Sequence, residues 1–97
     1  MDDKPYLVLH IGLNLPENAG PAISKEAVVE WLASRFDSFT VTDALGIFRG
    51  EQEPALVVGI AADPQSVFTA AAELRAKFGW EGIGIVIDGK YTRVTGN

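Results

Sequence analysis

Two stretches, Lys4-Pro5-Tyr6-Leu7-Val8-Leu9-His10-Ile11 and Glu53-Pro54-Ala55-Leu56-Val57-Val58-Gly59-Ile60, share one pattern and decide the fold. Each opens with a charged residue and a proline, continues as an aliphatic run, and leads to a helical segment that ends in a basic residue and Phe. Dense β-branched and aliphatic character reads as strand, the first from Pro5 to Leu13 and the third from Ala55 to Ala61. Between them, Asn14 to Pro21 carries two prolines and a glycine and reads as loop. Ser24 then caps a helix predicted to run to about Phe36, with Glu26 near its positive end and Val28, Trp31, Leu32 and Phe36 as its apolar stripe.

Phe39 to Arg49 reads as a second strand broken at Gly46, and Arg49 to Pro54 as a polar hairpin turn. Asp63-Pro64 starts a second helix, whose buried stripe is Val67, Ala71, Leu74 and Phe78 and whose stop is Gly79. Gly82 to Val94 reads as one last strand, kinked at Gly89. The order strand, helix, strand, strand, helix, strand is a split βαβ unit used twice. It predicts an α+β fold, a ferredoxin-like βαββαβ sandwich with a four-stranded sheet and two helices on one face. The expected layout makes the first and third strands central parallel neighbours and puts the second and fourth at the edges.

Alternation divides the strands into two faces. Leu7, Leu9, Ile11, Leu56, Val58, Ile60, Ile83, Ile85 and Ile87 are expected against the helices. Tyr6, Val8, His10, Gly12, Ala55, Val57, Gly59, Ala61, Gly84, Val86 and Asp88 are left on the open face. An open face this rich in apolar and small residues calls for a cover, and a homo-oligomer, with a dimer favoured, is the economical one. The alternatives are that the chain's own loop 14–23 covers the face or that its exposure is simply tolerated.

Composition supports one domain over residues 1–97, and it excludes more functions than it suggests. The 97 residues are 47% hydrophobic and 22% charged, with 13 Asp/Glu against 8 Lys/Arg, a formal charge of −5. That balance argues against nucleic-acid binding, which needs a basic surface, and against a polybasic membrane module. The absence of cysteine and the single histidine rule out disulfides, thiolate metal sites and cysteine nucleophiles. No metal site and no cofactor is implied. The acidic start Met1-Asp2-Asp3-Lys4, without a leader or a spanning run, reads as cytoplasmic.

His10 sits mid-strand on the open face among small residues, with Asp88 expected on the neighbouring strand to orient it as a general acid/base. The competing reading is an interface or solvent-facing histidine. Gly12, Val57, Gly59 and Val86 complete a candidate ligand or interface surface around it, and Lys90 and Arg93 form a basic end suited to a small anionic ligand. Loop 14–23 has the turn chemistry of a ligand lid, and of an ordinary connection. Glu51 and Glu53 at the hairpin read as solvated charge. Trp80, just past the second helix, reads as a partner contact or a hydrophobic cap.

The loop after strand one lacks the arginine of an acylphosphatase, and the strands lack the aromatic and basic residues of an RNA-recognition motif. The layout resembles dimeric α+β barrel proteins, including cofactor-free monooxygenases, which pair open sheet faces around a cavity. The stretches Thr40-Val41-Thr42-Asp43-Ala44-Leu45-Gly46-Ile47-Phe48-Arg49-Gly50 and Glu53-Pro54-Ala55-Leu56-Val57-Val58 resemble small uncharacterised proteins of bacteriophage and mobile elements. That resemblance implies an accessory role, such as binding a host protein or sequestering a host signalling nucleotide, and transfers no functional residue. The leading expectation is a non-catalytic, oligomeric binding module for a protein partner or small anionic ligand. The alternative is a cofactor-independent enzyme using His10.

Overall fold

Leu7, Leu9 and Ile11 alternate with exposed or half-buried residues, and each retains 1% or less of its surface. They belong to β1 (Tyr6–Gly12), the middle strand of the computed structural model, which describes residues 3–96. Met1-Asp2 and Asn97, read above as the acidic start and the domain end, lie outside the described residues. β1 pairs on one side with β3 (Glu51–Ala61), Leu9 opposite Val58, and on the other with β4 (Gly82–Ile87), Leu9 opposite Ile85. β2 (Thr40–Phe48) flanks β3 and β5 (Lys90–Thr95) flanks β4, so the sheet order is β2-β3-β1-β4-β5.

Every pairing is antiparallel. The expectation that the first and third strands run parallel is therefore corrected: they are central neighbours, but opposed. The helix crossover returns β2 parallel to β1 with one gap between them, and β3, joined to β2 by a tight hairpin, fills that gap in the reverse direction. The sheet has five strands rather than four. The break lies at Asp88-Gly89, where both residues take positive φ (52° and 74°) and form a two-residue turn. Asp-Gly flanked by apolar strands favours this turn, because a primed turn matches strand twist and needs left-handed backbone. What reads as one kinked strand is two, and β4 lies inside the sheet.

The second hairpin is also tighter than expected. Arg49 and Gly50 alone turn the chain, with φ of 52° and 79°, and Phe48 pairs with Glu51. Gly46 does not break β2; it pairs with Glu53 in an unbroken ladder. Glu51, Gln52, Glu53 and Pro54 therefore belong to β3 and extend it past Ala55, the partner of Gly12 at the end of β1. The resulting β2–β3 arm accounts for the elongated outline, 45 × 26 × 26 Å.

The helices start where the caps predict. Ser24 Oγ accepts from Ala27 N at 3.1 Å to begin α1 (Lys25–Ala33), and Asp63 Oδ2 accepts from Ser66 N at 3.1 Å to begin α2 (Pro64–Phe78). Gly79 ends α2 in the left-handed conformation, φ 80°. α1 stops short of Phe36, although Phe36 N still donates to Leu32 O and its ring packs on the core. Val28 and Leu32 of α1, and Val67, Ala71 and Leu74 of α2, share one core with the inward residues of β1, β3 and β4. Both helices therefore cover the same sheet face. Trp80 is 2% exposed, and its indole N–H donates to Leu13 O at 3.3 Å, so it caps the core at the end of β1. No helix among the described residues is long and apolar enough to cross a membrane.

Leu9 touches partners from both sides of the sheet centre, so Leu9→Ala is expected to cost about 2–5 kcal/mol in chemical denaturation. Asp63→Ala removes one cap and is expected to cost about 1 kcal/mol by the same measurement, with the fold retained.

Candidate functional site

The registers place one row of residues across the uncovered face: Thr42, Val57, His10, Gly84 and Arg93, on β2, β3, β1, β4 and β5 in turn. The next row contains Ala44, Ala55 and Gly12. Glycines on this face are overlain by large side chains from neighbouring strands. A Cβ on Gly12 would run into the Glu53 carboxylate, one on Gly84 into the Tyr91 ring, and one on Gly59 into the Tyr6 hydroxyl. The glycines of this face thus let a carboxylate and two phenols lie close against the backbone.

Beyond Gly12 the floor drops away because β1 has ended, while the β2–β3 arm continues. The space between arm and sheet is a groove of about 640 Å³, within the range of clefts that hold small molecules. His10, Gly12 and Gly84 lie on its floor, and Asn14 to Glu17 close one end. The loop that holds those four residues is pinned at its base, where Ile23 N donates to Leu13 O at 2.9 Å. At the arm's tip Arg49 Nη2 lies 3.3 Å from Glu81 Oε1, and Arg93 Nη2 from β5 lies 3.5 Å from Glu81 Oε2. Both guanidiniums approach the Phe48 ring, at 4.8 and 5.3 Å from its centroid.

Four carboxylates, Glu17, Glu51, Glu53 and Glu81, line the groove against two guanidiniums, Arg49 and Arg93. The lining is net negative, and this excess of carboxylates favours a ligand carrying positive charge. Among the described residues no three His, Asp or Glu side chains gather as a metal cluster.

The structure brings together His10, Gly12, Val57 and Arg93, all of which line the groove. It does not bring Asp88 to His10. Asp88 occupies the β4–β5 turn, four residues beyond Gly84, the partner of His10, which is about 13 Å along the strand. The proposed orienting pair is therefore corrected, and Glu53 is the carboxylate that reaches the open face of β1. Gly59 lies beneath Tyr6, and Val86 pairs with Val8 and Tyr91, one row from the groove. Lys90 pairs with Ile87 on the helix side, whereas Arg93 pairs with Gly84 on the open side, so they form no common basic end. Sequence reasoning missed Glu53 because it placed residues 49–54 in a turn. Continuing the alternation of Val57 and Ala55 by one step puts Glu53 on the open face.

No protein-family model matches the chain, and no curated protein does. Among solved structures, the fold is similar to a phage SAM lyase in complex with S-methyl-5'-thioadenosine. That match has a TM-score of 0.67 at 17% identity, and it covers 99% of this chain and 93% of that one. A phage SAM lyase in the apo state gives the same score and identity, with 95% and 89% covered. At this identity the likeness is one of fold. It agrees with the bacteriophage resemblance read from residues 40–58. Both structures are of an enzyme, which overturns the expectation of a non-catalytic binding module and favours the enzyme alternative.

Proposed function

We propose that the chain is a cofactor-independent cytoplasmic enzyme of the SAM-lyase kind, acting on an adenosyl sulfonium in the open-face groove. Its scaffold is a ferredoxin-like βαββαβ unit extended by a fifth strand. The observation that carries this reading is the groove's charge: four carboxylates against two guanidiniums, in a fold similar along its length to a SAM lyase. S-Adenosylmethionine carries a sulfonium and an ammonium against one carboxylate, so it complements that balance.

S-Methyl-5'-thioadenosine retains the methyl and adenosyl groups of the sulfonium. The bond that breaks to form it joins sulfur to the amino-acid side chain, and the electron pair leaves with sulfur as a neutral thioether. The positive charge is its own leaving-group activation. The carbon regains its valence within the substrate, by closure of the substrate carboxylate to a lactone or by loss of a neighbouring proton to give an alkene. His10, on the groove floor, is the acceptor in the second route. Glu53 binds the cation. Because that charge disappears as the bond breaks, Glu53 stabilises the bound substrate more than the transition state, so it lowers KM without raising kcat, and it favours release of the neutral product.

Incubation with S-adenosylmethionine is expected to yield S-methyl-5'-thioadenosine by chromatography with mass detection; no turnover by the folded chain overturns the reading. If the second product is the alkene, His10→Ala should lower kcat by roughly 100-fold or more at unchanged melting temperature. A lactone product with His10→Ala fully active assigns the histidine to the floor alone.

Glu53→Gln is expected to weaken binding of S-adenosylmethionine roughly tenfold and to leave binding of S-methyl-5'-thioadenosine nearly unchanged, as read by titration calorimetry. Equal losses for both ligands would remove Glu53 from cation binding.

The homo-oligomer belongs to the same proposal, with its contact moved from the open face to the β2 edge. β2 is a nine-residue edge strand without Lys or Pro, and its Leu45 and Ile47 are 66% and 63% exposed. Such an edge is a template for pairing with a second copy. Light scattering at micromolar concentration is expected to give more than one chain per particle, and Leu45→Lys with Ile47→Lys to reduce it to one. A single-chain mass for the parent protein would remove the contact.

A further inference from the structure

β1 lies between β3 and β4, so the arm built on β3 and the residues before β4 are about 10 Å apart in the plane of the sheet. Arg49 at the arm's tip nevertheless reaches Glu81. It does so because β1 ends at Gly12 while β3 runs on to Glu51, which lets the tip lean across the gap above the groove. Glu81 divides its two oxygens between the two sides, Oε1 to Arg49 of the arm and Oε2 to Arg93 of β5. Phe48 lies within reach of both guanidiniums, so ring, cations and carboxylate close one circuit across the groove. The remaining ion pairs among the described residues, Lys25–Asp43 and Arg35–Glu73, involve neither the tip nor Glu81.

We propose that the tip of the β2–β3 arm is a lid on the groove and that Glu81 is the positioning residue that holds it closed, acting through Arg49 and Phe48. The proposal rests on the groove being the substrate site. The strength of the latch suits a lid. Arg49 is 74% and Glu81 43% exposed at the side chain, and exposed ion pairs are individually weak and screened by salt. A shared carboxylate and a cation–π contact make the closed state favoured without locking it. The arm can then open for ligand exchange on the timescale of loop motion. Arg49, in the left-handed conformation at φ 52°, sits at the turn itself, so releasing it frees the whole tip.

Hydrogen exchange of amides 46–53 in the ligand-free protein tests the latch without reference to activity. Glu81→Gln is expected to speed that exchange roughly threefold to tenfold, and raised salt to do the same in the parent protein but not in the variant. Arg49→Gln should match Glu81→Gln, while Arg49→Lys, which keeps the charge, should stay near the parent. Unchanged exchange in Glu81→Gln, with the parent protein turning over substrate, overturns the latch and leaves the functional reading standing. The expected exchange pattern in a parent protein that turns over nothing keeps the latch as a device of the arm and overturns the reading on which its role as substrate lid depends.

Discussion

Leu9 faces Val58 across one ladder and Ile85 across the other, and its side chain is enclosed by helices that the same two strands position. The register of β1 is therefore set from both sides at once. A slip of one residue would turn Leu7, Leu9 and Ile11 out to water and bring His10 into the core, which burial of apolar surface forbids. Everything functional depends on this constraint. With the leucines fixed inward, Tyr6, Val8, His10 and Gly12 must face outward, and the floor of the groove is assigned before any ligand is considered.

The groove itself comes from a mismatch in strand length. β1 ends at Gly12, but its partner β3 continues to Glu51 and carries β2 with it. The overhang has no third strand beneath it, so its polar side chains find partners across the gap rather than along the sheet. Glu53 settles over Gly12, and Arg49 finds Glu81. A site formed in this way takes its acids from β3, the residue before β4 and the loop after β1, and its cations from the arm tip and β5. A carboxylate-rich cleft follows, with its two guanidiniums gathered on Glu81.

The fold was largely legible because its signals are local. Ser24, Asp63-Pro64 and Gly79 mark helix boundaries by the chemistry of the few residues around them, and alternation in β1 and β3 names the core. The two hairpins were less legible, since a primed turn needs only two residues. Arg49-Gly50 was hidden in a longer polar run, and Asp88-Gly89 in a longer apolar one. The cost of these two misreadings fell on the site. The first concealed Glu53 as solvated charge, and the second placed Asp88 on a strand beside His10, where the chain is already turning.

The amino-acid sequence by itself determined where both helices start, which residues of β1 and of β3 from Ala55 on form strand, which face of each is buried, and that His10 and Gly12 look outward. These follow from periodicity and from capping, which act over a few residues. Only the tertiary structure decided that β1 and β3 run antiparallel, that a fifth strand carries Arg93 to the open face and Lys90 to the other, and that Glu53, Glu81 and Arg49 meet around one groove. Strand pairing and the reach of an overhanging hairpin depend on residues far apart in the chain, and no local pattern encodes how far one strand outruns its neighbour.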